Sequence, residues 1–156
     1  MKIIILVIFL ILPWISVSGG ERRPVTPSPG DKCPVCGMFV IKYPDFLAQV
    51  LFTDGSYALF DGAKDMFKYI VQPETKGSPR KRPGIDSVYV TDYYSLSLVD
   101  GLRAYYVIGS DVYGPMGKEL IPFAREDDAR EFVKDHKGKT ILRFREVTPE
   151  VIKVLE

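Results

Sequence analysis

Residues Phe46 to Val71 read FLAQVLFTDGSYALFDGAKDMFKYIV, and the order of periodicities within that stretch decides the fold. An apolar run, Phe46 to Phe52, meets the turn residues Thr53-Asp54-Gly55-Ser56, and a second apolar run follows from Tyr57 to Phe60. Two strands joined through an Asp-Gly turn are expected. Asp61 then offers a side-chain oxygen to cap a helix, and Ala63, Met66, Phe67 and Ile70 recur at helical spacing up to about Val71. The polar, Pro/Gly-rich stretch Pro73 to Pro83 stops that helix. Beyond it, Asp86 to Tyr94 (DSVYVTDYY) alternates and carries Val and Tyr, as a strand should.

The second half of the chain repeats this order. Arg103 to Ile108 is a strand, Gly109 to Gly117 a turn-rich loop, Leu120 to Phe123 a strand, Arg125 to Lys137 a helix and Lys139 to Arg145 a strand. A shift of 63 positions aligns Phe60 with Phe123, Asp65 with Asp128, Tyr69 with Phe132 and Ile70 with Val133. Chance similarity between two amphipathic helices would give some of these matches, but they share one strand-to-helix junction, the mark of an internal duplication. Pro149 to Glu156 reads as a short C-terminal helix with Thr148 as its N-cap. The expected class is α+β: two similar ββαβ units, about 46–94 and 103–145, packed as one small domain over 33–147, with a terminal helix at 148–156.

Upstream, Lys2, the apolar run Ile3 to Val17 and the small residues Ser18-Gly19-Gly20 have the build of an export signal over residues 1–20. The run is broken by Pro13 and is short for a membrane span, which needs roughly 20 apolar residues. Cleavage is therefore expected, with an uncleaved anchor as the competitor. No cysteine stands at the end of the apolar run, so lipid attachment there is not expected. Residues 21–32, with Pro24, Pro27, Pro29 and Gly30, read as a flexible, extended leader.

Loss of the signal removes Lys2 and leaves equal numbers of basic and acidic residues, so non-specific nucleic-acid binding has no electrostatic support. The local cluster Arg80-Lys81-Arg82 between two prolines reads as a solvated loop. Nine Tyr and nine Phe supply a core without a disulfide framework. A bridge closing only a CxxC loop would in any case constrain the unfolded chain very little.

Chemistry concentrates in CPVCGM, Cys33 to Met38, which holds both cysteines of the chain and a methionine two residues after the second. In an exported protein a CxxC pair is commonly a disulfide or a thiol-exchange site, and a nearby methionine is commonly core filler. The same three sulfurs are also soft donors suited to Cu(I), and thiolates suit zinc. Met116 lies in the Gly/Pro loop SDVYGPMGKE, where it has less reason to fill a core than Met66 at helical spacing. Asp61, Asp65, Asp92 and Asp111 read as caps, turns and surface. A closed zinc site would require a dimer or carboxylates in addition to the two cysteines.

The combination of CGM at Cys36–Met38, YPD at Tyr43–Asp45, FDGAKDMFKY at Phe60–Tyr69, YVTDYY at Tyr89–Tyr94 and YVIGSDVYGPMGKELIPF at Tyr106–Phe123 resembles the NosL family of exported copper-binding proteins. The resemblance implies two ββαβ units, a topology shared with part of organomercurial lyase, and a Cu(I) chaperone rather than an enzyme. It places the protein in the periplasm or elsewhere outside the cytoplasm, where relatives in denitrifying bacteria supply copper to nitrous oxide reductase. The implied partner is such a copper-receiving enzyme or another envelope copper protein. Carried over by motif, Cys36 is the thiolate ligand and Met38 and Met116 are thioether ligands. Cys33 is an addition that either completes a sulfur-rich site or protects Cys36 through a reversible disulfide. The single histidine, His136, falls at the end of the second helix, where a cation interacts favourably with the helix dipole. The rival function is a CxxC thiol–disulfide oxidoreductase acting through Cys33 and Cys36, disfavoured because such motifs usually sit at a helix N-terminus that lowers the thiol pKa, whereas here Pro-rich chain precedes the motif and Phe39-Val40-Ile41 follows it.

Overall fold

The structure, a computed structural model, describes residues 22–71 and 83–156. The expected export signal and the Arg80-Lys81-Arg82 cluster lie outside the described residues. The elements are β1 (Ala48–Phe52), β2 (Tyr57–Phe60), α1 (Ala63–Val71), β3 (Ile85–Thr91), β4 (Leu98–Asp100), β5 (Tyr105–Ile108), β6 (Tyr113–Gly114), β7 (Gly117–Lys118), β8 (Ile121–Phe123), α2 (Glu126–Asp135), β9 (Thr140–Arg143) and α3 (Pro149–Val154). One antiparallel sheet has the order β2-β1-β3-β4, a second has β8-β5-β9, and β6 and β7 form a separate hairpin.

Each sheet carries its first strand in the middle, with the second and last strands of its unit on either side. The two ββαβ units therefore share one topology. The shift of 63 holds at the junction: Phe60 and Phe123 each end a strand, and Asp65 and Asp128 are each the third residue of their helix. What differs is the connection between the first two strands. Ala48 pairs with Phe60, 12 positions on, whereas Tyr105 pairs with Phe123, 18 positions on. The six extra residues make the β6–β7 hairpin inside the loop expected at Gly109 to Gly117. Neither that hairpin nor β4 is visible in the periodicity, because two- and three-residue strands carry too few side chains to show a period.

Alternation along the strands decides what covers each face. Phe52 and Phe60 turn toward α1, where their rings meet Tyr69 with centroids 6.5 and 5.4 Å apart. Across α1, Phe67 meets Tyr106 of β5 edge-on at 4.9 Å. Helix α1 thus lies between the two sheets, and all five residues from Ala63 to Phe67 are buried. In this buried first half of the helix, any polar side chain must find a protein partner. Helix α2 covers the other face of the second sheet, where Phe123, Phe132 and Val107 form a second cluster.

The opposite face of the first sheet is covered by the leader, which is extended as expected but not loose. The buried Gln49 amide exchanges two hydrogen bonds with the backbone of Val25, both 2.8 Å long. Arg22 donates to the carbonyls of Phe52 and Gly55, and the Tyr89 hydroxyl donates to the Arg22 carbonyl. Thr148 occupies the N-cap of α3, yet its side chain makes no capping bond.

Candidate metal centre

CPVCGM is a closed loop bracketed by the antiparallel bridge between Lys32 and Phe39. Within it the Cys33 N–H donates to the Met38 carbonyl at 2.8 Å and the Gly37 N–H donates to the Cys33 carbonyl at 2.9 Å. The turn needs φ of +79° at Gly37, a left-handed conformation that costs a side-chain-bearing residue energy even though there is open space beside it. This tight return directs both thiols to one side, against the start of α1. Cys33 is 1% exposed and Cys36 is half-buried, and both are free thiols.

What they meet are two aspartates. Asp61 follows β2 directly, two residues before α1 begins, and Asp65 lies four positions later in the first turn of that helix. The Cys36 thiol donates to Asp61 Oδ1 at 3.2 Å and the Cys33 thiol donates to Asp65 Oδ2 at 3.3 Å. One ligand atom from each of the four residues lies within 4.8 Å of all the others. Both carboxylates are buried, at 1% and 5% exposure, and Asp61 Oδ2 has no hydrogen-bond partner among the described residues. The N-terminus of α1 supplies a favourable potential for this negative charge. Burial, reinforced by the neighbouring carboxylates, raises both thiol pKa values; Cys36 is pushed up to about 11 although the Met38 N–H lowers it, and Cys33 lies higher still.

Asp61 was expected as the N-cap of α1, and it is not. The cap position falls on Gly62, whose carbonyl accepts from the Met66 N–H. The helix start is capped from a distance by buried Glu119, whose Oε1 accepts from the Lys64 N–H at 2.5 Å and from the Leu120 N–H at 2.8 Å. A Cβ on Gly62 would stand 2.3 Å from Glu119 Oε2, so the carboxylate reaches the helix only because residue 62 is glycine. Burial pushes Glu119 up to about 8, against the two N–H groups and the Lys64 ammonium that lower it.

Of the four residues predicted from sequence, Cys33 and Cys36 belong to this cluster. Met38 closes the loop beside them and is half-buried. Met116 occupies the tip of the β6–β7 hairpin, 46% exposed, and its carbonyl accepts a 2.7 Å bond from Lys64, the α1 residue next to Asp65. The hairpin is thereby held at the same helix start as the thiol–carboxylate cluster. His136 is not at the cluster: it caps the C-terminus of α2, its ring stacked on Phe132 and its Nδ1 3.3 Å from Asp111. Asp92 organises a turn, as expected, and accepts from the N–H groups of Tyr94, Ser95 and Ala124. Asp61 and Asp65 are the residues that sequence reasoning missed. Their i, i+4 spacing at a helix start was legible; their meeting with cysteines 25 and 32 positions upstream was not.

Fold and site together define a small α+β protein with paired thiols and paired carboxylates, donors suited to a metal ion, at the head of α1. Comparison with known proteins makes the class specific: the NosL family model matches residues 24–152, and the chain belongs to that family. It is 32% identical to the copper-binding lipoprotein NosL of Stutzerimonas stutzeri over 133 residues, covering 80% of this chain and 66% of that protein. The chain thus spans just under two thirds of that relative's length. The copper chaperone NosL from Shewanella denitrificans has a crystal structure that superposes with a TM-score of 0.69 at 25% identity, covering 82% of this chain and 97% of that one. The one relative is named as a copper-binding lipoprotein and the other as a copper chaperone, neither as an enzyme.

Proposed function

We propose that this protein captures Cu(I) outside the cytoplasm and hands it to a copper-requiring envelope protein, nitrous oxide reductase being the type of recipient. In this reading residues 1–20 export the chain, and 33–147 form the functional domain. Cys36 and Cys33 bind the ion as thiolates, and Met38 and Met116 add thioether donors. The observation that carries the reading is the convergence of two free thiols at the head of α1, beside a hairpin whose exposed tip is a methionine.

The chemistry follows from the donors. Thiolate and thioether sulfur are soft ligands that favour Cu(I) over hard cations. One buried thiol fixes the ion, while the half-buried Cys36 and the exposed Met116 leave an edge where a recipient's ligands can enter before the first set departs. Methionine carries no proton to lose, whereas each cysteine must release one on binding. The rival thiol-exchange function requires a thiolate at neutral pH. Burial and two facing carboxylates hold both thiols protonated, opposite to the electropositive setting of reactive cysteines.

The test is anaerobic titration of the reduced protein with Cu(I) against a chromophoric chelator, comparing wild type with Met38→Ala and Met116→Ala. One tightly bound copper, weakened about tenfold or more in each variant, is expected, a loss of roughly 1.4 kcal/mol per decade. Failure of the reduced, folded wild type to compete for Cu(I) overturns the reading.

A further inference from the structure

We infer that the cavity bounded by the β6–β7 hairpin, the start of β9 and the end of α3 binds a small organic anion, a compact apolar body carrying a carboxylate. None of the proposed copper ligands lines this cavity, and the inference does not rest on the copper reading.

Shape is the first support. The cavity has a volume of about 410 Å³, and small-molecule sites typically span roughly 300 to 1,000 Å³. Buried Leu155 and half-buried Ile108 line it, together with Tyr113 and Val154, which are 63% and 68% exposed. Those two are the most exposed large apolar side chains among the described residues. Exposed apolar residues scattered singly are ordinary, but two that line one concavity make an apolar surface for an occupant to cover.

Charge is the second support. Lys118 and Lys139 line the same cavity, and neither ammonium has an ion pair or hydrogen bond among the described residues. Lys139 lays its stem against Gly109, where φ is +77° and a Cβ would stand 2.8 Å from Lys139 Cγ. A stem already packed gives up less freedom when its ammonium takes a partner. The acidic groups nearby are engaged elsewhere. Asp111, two residues beyond Gly109, pairs with Lys137 at 3.5 Å. Glu119 also lines the cavity, but its Oε1 accepts from two backbone N–H groups, and burial lets the side chain keep its proton at pH 7. Two unpaired cations select an anion, and the apolar walls select one with an organic body over inorganic phosphate.

Octanoate is the probe. Added to the reduced, metal-free, full-length protein, it is expected to give saturable one-site shifts in 1H–15N NMR spectra at Gly109, Tyr113, Lys118 and Lys139. 1-Octanol has the same body without the charge and is expected to bind about fivefold or more weakly. Lys118→Met and Lys139→Met keep the stems and are each expected to weaken octanoate about threefold or more, with 1-octanol unchanged. Val154→Asp, at a side chain exposed enough to change without touching the core, is expected to abolish octanoate binding. Shifts that rise without saturating, or 1-octanol that binds as tightly as octanoate, overturn the inference on the wild type alone, whether or not any variant folds. So does binding to anionic phospholipid vesicles without a saturable response to octanoate, which would make the same face a membrane contact.

Discussion

At the scale of single residues, the centre is governed by what burial does to two thiols. An acid in a low-dielectric site keeps its proton, and facing carboxylates add like-charge repulsion against the thiolate. With Cys36 pushed up to about 11 from an ordinary 9.0, its thiolate fraction at neutral pH is about a hundredfold below that of an unperturbed cysteine. Alkylation of the metal-free protein should be correspondingly slow at pH 7 and should rise about tenfold per pH unit up to about pH 11. A rate that levels off near pH 8 to 9 would show that the carboxylates do not act on the thiol as described. Cys33 should react more slowly still, since the residue is only 1% exposed. Mass spectrometry of peptides after timed alkylation separates the two. The cysteines were legible as a metal or redox pair from spacing alone; the direction of their pKa shift was not, because it comes from residues brought close only by the fold.

At the scale of elements, the head of α1 is where three separate segments meet: the CPVCGM loop, the helix and the β6–β7 hairpin. Glu119 and Lys64 tie the last two together, one capping the helix and the other gripping the Met116 carbonyl. Glu119 is wedged between Gly62 and Gly114, where a Cβ would stand 2.3 and 2.8 Å from its Oε2. The folded pKa of about 8 exceeds the ordinary 4.5, so between those values the unfolded chain has lost the proton while the folded one retains it. Fewer bound protons in the unfolded state mean that stability falls as pH rises across that window. Glu119→Gln keeps an oxygen for the two N–H donors and removes the titration. Its melting temperature should gain on wild type as pH rises from about 5 to about 8 and then run parallel; a constant difference would contradict a raised pKa. Glu119→Ala leaves two backbone donors bare and should cost about 2 kcal/mol at pH 5 by chemical denaturation. Lys64→Met keeps an apolar stem but loses the donor, so Cu(I) affinity should drop severalfold with the Cys and Asp residues untouched. Unchanged affinity would mean that the hairpin is placed by Glu119 alone. Strand β3 and both longer helices were legible because seven to ten residues suffice to show a period, and β1 and β2 because a turn signal separates their two apolar runs. Hairpin and distant cap were not, since GPMG advertises only a turn and Glu119 contacts the helix across 55 positions of sequence.

At the scale of the whole molecule, the two ββαβ units share one topology but only the first carries the thiol–carboxylate cluster. Asp128 stands in α2 where Asp65 stands in α1, yet it pairs with Arg125 at a partly exposed surface. The position matching Asp61 is Ala124, whose N–H serves the Asp92 turn. What singles out the first unit is the N-terminal segment laid against it, which supplies both thiols. Pinning of that segment by Gln49 is therefore a question about function as well as stability. Gln49 is fully buried in β1, which has a strand on either side, and its side-chain amide reaches out of the sheet to hold the Val25 backbone. Gln49→Leu preserves volume and apolar packing while deleting two hydrogen bonds, so the leader should detach without unfolding of the sheet. The CPVCGM loop has its own anchors in the Lys32–Phe39 bridge, the bond from the Val40 N–H to the Asp31 carbonyl and the burial of Cys33. Trypsin cleavage at Arg22 should then accelerate tenfold or more in Gln49→Leu, while Cu(I) affinity stays within about threefold, as expected of locally cooperative units with separate opening energies. If affinity falls in step with cleavage, leader and metal centre open as one unit, and the grip of Gln49 on Val25 sets how readily the ion is released.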